Sequence, residues 1–110
     1  MSESVDITAS QMNTVRTLLQ RYLPGVAAWA YGSRIKWTAR PASDLDLVVF
    51  ATPGQRANVS ALNEAFEESN LPFRVDVFVW DEVPEKFRKT ISGGHFVIRE
   101  EAGEGLGFDL

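Results

Sequence analysis

The residues whose spacing suggests chemistry are Gly32-Ser33, then after ten residues Asp44-Leu45-Asp46, and then Asp76 inside Arg74-Val75-Asp76-Val77-Phe78-Val79. Asp44 and Asp46 stand two apart at the start of an apolar run, so on a strand their carboxylates leave the same face. Two like charges side by side repel, and a cation between them removes the repulsion. Oxygen donors in a chain without cysteine suit magnesium, with manganese as the other hard-ligand choice. Asp76 sits in the middle of a run rich in valine and aromatics, where a carboxylate is costly unless it is paired, hydrogen-bonded or metal-bound. If its strand lies beside that of Asp44 and Asp46, three carboxylates meet at one point. That is the requirement of a two-metal displacement at phosphorus, with Asp76 nearest the nucleophile as candidate general base.

Gly32 and Ser33 have a matching role. Glycine lets the backbone approach a phosphate, and serine adds a hydroxyl donor. A helical turn beginning after Ser33 would turn free N–H groups toward the same anion. Arg34, Lys36 and Arg40 fall within seven residues that contain no acid; Arg34 and Lys36 could add charge at a triphosphate, or the segment could be a solvated loop. Each piece alone is ordinary: Gly-Ser is a common turn, Asp-x-Asp a common strand end, and Asp76 could simply pair with Arg74 or Arg40. With residue types at roughly 5–7% usage, four fixed positions coincide about once in 10⁵.

These groups need elements to position them. Thr8 and Gln11 fit a capping box, and Met12, Val15, Leu18, Leu19, Tyr22 and Leu23 then follow a helical period until Pro24-Gly25. Val26 to Tyr31 reads as a strand, and residues 34–43 as a short helical turn plus loop. Leu45 to Phe50 is apolar on both faces and should be a central strand. Pro53-Gly54 marks a loop, and Val59, Leu62 and Phe66 give an amphipathic helix ending near Asn70. Phe73 to Trp80 is a third strand. Pro84 fits a first helical position, with Phe87 and Ile91 as the apolar stripe up to Gly93-Gly94. His95 to Arg99 is either a fourth strand or a helical continuation. Trp29 and Trp80 read as core and His95 as a surface residue. Trp37, in the basic loop, either stacks on a base or partner or packs over the sheet edge. The fold class is therefore α/β or α+β around a small sheet, as one domain over 1–99 and a mobile acidic tail over 100–110.

A chain of 110 residues buries roughly two-thirds of its unfolded surface, enough for one core. Hydrophobic residues make up 45% and charged residues 24%, ordinary for a globular protein. No apolar run approaches a membrane span, and the acidic start does not resemble a signal peptide, so a cytoplasmic location is expected. A net charge of −4 argues against a protein that grips a nucleic-acid backbone unaided.

The segment Tyr31-Gly-Ser-Arg onward to Ser43-Asp-Leu-Asp-Leu-Val-Val-Phe resembles, without a gap, the Gly-Ser-x10-Asp-x-Asp motif of the minimal nucleotidyltransferases of the polymerase beta superfamily, which include the antitoxin halves of HEPN/minimal-nucleotidyltransferase pairs. Arg74-Val-Asp-Val-Phe-Val-Trp is similar to that family's third-carboxylate strand. The resemblance spans roughly residues 8–92. It implies a small mixed sheet flanked by helices, and Asp44, Asp46 and Asp76 as ligands of two magnesium ions. It also implies ATP as substrate with Gly32 and Ser33 at its triphosphate, and Arg34, less directly, as the motif's arginine. A separate helical HEPN-type partner encoded nearby is implied as well, in a hetero-oligomer. The expected activity is transfer of AMP to a hydroxyl, a tyrosine of that partner, because little sequence remains to enclose an acceptor. The alternatives are a binding module that neutralises its partner by contact, and a transferase acting on a small molecule.

Overall fold

The computed structural model describes residues 5–100. The first helix, α1 (Ala9–Tyr22), begins where the sequence predicts: Thr8 Oγ1 accepts from the Gln11 N–H at 3.0 Å, and Gln11 Oε1 accepts from the Thr8 N–H at 2.8 Å. These bonds satisfy two of the donors that a helix start leaves free. The helix stops at Leu23, whose N–H still reaches the Leu19 carbonyl, and Gly25 turns the chain at φ 79°. There follow β1 (Ala28–Tyr31), α2 (Ser33–Lys36), β2 (Leu45–Val49), α3 (Arg56–Glu67), β3 (Val75–Val79), α4 (Glu85–Gly93) and β4 (Phe96–Arg99), with 3₁₀ turns at Pro53–Gln55 and Trp80–Glu82.

The sheet order is β3-β2-β1-β4, with β2–β3 parallel and the other pairs antiparallel. It is the expected mixed sheet, and α3 is the crossover that a parallel pair requires. One face is covered. Ala28, Ala30, Leu45, Leu47, Val49, Val75 and Val77 are buried there with Val15 and Leu19 of α1 and Val59, Leu62 and Phe66 of α3. Each fully buried leucine or valine contributes about 1.5–3 kcal/mol before the entropy of ordering it is set against it. The other face carries Trp29, Tyr31, Asp46, Val48, Asp76 and Phe78, in the alternation that strands impose. Val48 is fully buried on this second face, in keeping with the central place predicted for β2.

Because β3 and β4 are opposite edges, the chain between them must cross the sheet. It crosses on the second face: Arg88 of α4 lies over the Trp80 ring, and His95 lands on Trp29. The segment after Gly94 is a strand, β4, because β1 has a free side to pair with. Arg99 fastens its end by donating to the carbonyls of Val26 and Leu23 and to Gln20 Oε1. Two boundaries differ slightly from expectation: Pro84 caps α4 instead of entering it, and the Pro53-Gly54 loop closes a 3₁₀ turn through Thr52 and Gln55. Beyond Glu100, the expected acidic tail lies outside the described residues. Among the described residues no helix is long and apolar enough to cross a membrane.

Candidate active site

Strand register assembles the site. Tyr31 pairs with Asp46 across β1–β2, and Asp46 pairs with Asp76 across β2–β3. Residues directly opposite share a face, so one row across three strands carries a phenol and two carboxylates. Asp44 precedes β2 by one residue and is half-buried, like Asp46 and Asp76. The three acids interact. Burial, then the charges of Asp76 and Asp44, push the Asp46 carboxyl up to about 6. Burial, then Asp46 and Asp76, push the Tyr31 phenol up to about 12. Among the described residues Asp76 is partnered by Arg74, whose Nε donates to its Oδ1 at 2.9 Å from an exposed position.

Gly32 ends β1 at φ 90°, a conformation that L side chains rarely adopt. A Cβ there would stand 2.6 Å from Asp46 Oδ2. The carboxylate therefore lies directly against the turn backbone, and only glycine permits the approach. Ser33 begins α2 immediately beyond. Gly32 and Asp46, fourteen positions apart in sequence, thus stand against each other.

Arg34 departs from expectation. Its side chain is not free for a triphosphate: it is buried, with 6% exposure, and its guanidinium is committed to main-chain carbonyls. Nη1 donates to Asp6 at 2.9 Å, Nε to Ser43 at 3.1 Å, and Nη2 to Ser43 at 2.8 Å and Pro41 at 3.0 Å. The Phe73 ring lies beneath it at 4.3 Å. The physical reason is the irregular loop 37–44, whose inward carbonyls have no ladder partners and need a multidentate donor. The Asp6 N–H returns a bond to the Arg34 carbonyl at 2.8 Å. Arg34 thus holds the segment that delivers Asp44. Lys36 is exposed at the end of α2, and Trp37 follows at φ 59° with 56% exposure, so Trp37 does not pack over the sheet edge.

Three more side chains sit differently from their sequence reading. His95 is not a free surface residue. It stacks on Trp29 with centroids 3.7 Å apart and planes 13° apart. Trp29 and Trp80 are half-buried, outside the main core, and join Phe50 in an aromatic cluster with centroid separations of 4.7 to 5.6 Å. Tyr31 was not singled out for chemistry by the sequence reading; its alternation with Trp29 and its place before Gly32 were the available signals.

The donor set fits a magnesium ion. It is all oxygen, its central carboxylate is held against bare backbone at Gly32, and mutual repulsion favours a cation there. Among the described residues no three acidic, histidine or cysteine side chains are already gathered into a cation cage. Asp76 is drawn toward Arg74, and magnesium commonly uses only one or two protein carboxylates beside water and phosphate oxygens.

Comparison with known proteins places the chain in a family. The family described as polymerase beta nucleotidyltransferase matches residues 13–102. "Probable protein adenylyltransferase MntA" of Haemophilus influenzae is 40% identical over 98 residues, covering 88% of this chain and 86% of that protein. The crystal structure of a toxin–antitoxin with AMP-PNP superposes with a TM-score of 0.60 at 16% identity, over 86% of this chain and 75% of that one; at that identity it speaks for the fold.

Proposed function

The chain belongs to the polymerase beta nucleotidyltransferase family, and from that footing we propose that it moves AMP from ATP to a hydroxyl of a partner protein. The observation that carries the reading is Asp46, in register with Asp76 and held against the Gly32 backbone. Asp44, Asp46 and Asp76 hold magnesium, which when bound neutralises the triphosphate and the developing charge at phosphorus. Gly32 and Ser33 receive the triphosphate oxygens, and Lys36 adds charge at their rim. Asp76 lies on the acceptor side and takes the hydroxyl proton. The acceptor oxygen bonds to the α-phosphorus, the bond from that phosphorus to the α–β bridging oxygen breaks, and pyrophosphate leaves. Orienting the hydroxyl in line is the main contribution such a site makes. The name of the 40%-identical relative supports a protein acceptor, and the toxin–antitoxin neighbour supports a partner chain. We take the partner to be a helical HEPN-type protein and the acceptor to be a tyrosine, in the cytoplasm.

Intact-mass spectrometry of the purified pair, incubated with ATP and magnesium, tests the reading. Increments of AMP should appear on the partner and vanish with Asp44→Asn. Unmodified partner, still neutralised by the Asp44→Asn protein, would instead establish a contact antitoxin.

A further inference from the structure

A cavity of about 480 Å³ lies along the outer edge of β3, between α3 and α4, within the size range of ligand sites. Its walls include Val77 and Phe78, the two residues after Asp76, and Tyr31, the strand partner of Asp46. It thus touches the chain neighbour of Asp76 and the strand partner of Asp46. Its side is also informative. Gly32-Ser33 follows β1, on one side of β2, whereas most of the cavity wall comes from β3 and the chain after it, on the other, with Tyr31 reaching it from β1. In-line displacement places the attacking oxygen and the departing pyrophosphate on opposite sides of phosphorus. With the triphosphate at Gly32-Ser33, the acceptor approaches from β3. This rests on the transfer reading above.

The lining states what kind of acceptor fits. Phe87 and Ile91 of α4 line it together with Val77, Phe78 and Val79 of β3. Of the polar side chains in the wall, Asn63 is already used: its Oδ1 accepts from the Val77 N–H and its Nδ2 donates to the Val59 carbonyl; Thr90 Oγ1 donates to the Lys86 carbonyl, and Ser60 stands at an exposed position. Arg56 and Glu82 pair with each other at 2.5 Å. Val59, Val77, Val79, Phe87 and Ile91 offer no partner to most of a sugar's hydroxyls, and the net charge of −4 repels a nucleotide strand. An apolar side chain meets no such penalty. Phe78 and Phe87, 45% and 52% exposed, stand at the rim where a docked chain would cover them. We infer that this cavity seats an aromatic or branched aliphatic side chain of a polypeptide acceptor, beside the hydroxyl that is modified.

The cavity can be read without partner or nucleotide. Amide NMR of the full chain, titrated with p-cresol and separately with glucose, should show p-cresol shifting Val77–Val79, Thr90 and Ile91, and glucose shifting none. Thr90→Trp, placed at an exposed lining position, fills the space and should weaken p-cresol binding at least tenfold. Phe78→Ala, which removes a wall, should weaken it as well and serves if the tryptophan variant does not fold. In the transfer assay Thr90→Trp should raise KM for the protein acceptor at least tenfold, with KM for ATP unchanged. Absence of p-cresol shifts, equal shifts from glucose, or an unchanged acceptor KM would each overturn the proposal. Wild-type protein that binds p-cresol yet modifies no protein would overturn the transfer reading, and the acceptor role with it, while leaving the apolar binding site itself in place.

Discussion

The open face of the sheet has two ends built from the same strands. At one, Tyr31, Asp46 and Asp76 lie in a row with Asp44 close by, and the acids repel one another. At the other, Trp29, Phe50, Trp80 and His95 pack ring against ring. The aromatic end excludes water and gains from edge and stacked contacts, each worth about 0.5–1.5 kcal/mol beyond area burial. The acidic end gives up stability so that charge is in place before a ligand arrives. A small domain tolerates such a site because its covered face and the far end of its open face do not depend on it. Strain at functional positions, offset by packing elsewhere, is the general pattern.

The two ends should separate under mutation. Asp46→Asn is expected to lower the rate of AMP transfer by about 10²–10³, equivalent to about 3–4 kcal/mol, with a melting temperature no lower than that of wild type. Trp29→Ala should do the reverse. Loss of a half-buried ring with three aromatic neighbours costs about 2–4 kcal/mol, while the protein that remains folded keeps its transfer rate at low temperature. Urea unfolding and single-turnover transfer on both variants check this; equal losses in both assays would dissolve the distinction.

Arg34→Lys sharpens it next. Lysine lacks the planar fork, so carbonyls of Pro41 and Ser43 lose their donor, at about 1–3 kcal/mol for a buried group left unpaired. The fold should weaken by about 2 kcal/mol, and transfer should fall through kcat, with KM for ATP unchanged, because Asp44 is less well delivered. A raised KM for ATP with full stability would return Arg34 to the triphosphate.

The smallest effect concerns pH in magnesium-free protein. Asp46 titrates at about 6 in the fold against about 3.9 unfolded. Between those values the folded state keeps a proton that the unfolded chain has released, so stability falls as pH rises through that window, and above 6 the whole cost is present. Asp46→Asn escapes it. With chelator present, the variant should be more stable than wild type at pH 7.5 by on the order of 1 kcal/mol, after allowance for solvent screening. The difference should close below pH 4. Denaturation at pH 4, 5, 6 and 7.5 measures it; a gap that stays constant with pH would indicate packing and not charge.

Much of this site was legible because its rules are local. The Thr8–Gln11 box fixes a helix start, two-residue spacing puts Asp44 and Asp46 on one face, and a run apolar on both faces marks β2 as central. What stayed hidden depends on partners distant in sequence. Periodicity says that Trp29 and Tyr31 share a face, not that α4 crosses it and brings His95 onto Trp29. The basic character of 34–40 suggested an anion, whereas Arg34 had nearer claimants in the carbonyls of its own loop and of Asp6. The last strand was ambiguous until β1 supplied an edge. The cavity was invisible because it is a space between α3 and α4, not a property of either.

Arg34 has a consequence for how this protein can vary. Its acceptors at Asp6, Pro41 and Ser43 are all main-chain oxygens, which every amino acid supplies. The loop can therefore drift in sequence while its shape is kept, provided the arginine stays. In a saturation library, the exposed positions 38, 40 and 42 should accept most replacements and position 34 almost none, so that a stretch which looks unconstrained along its length is governed from a single buried residue.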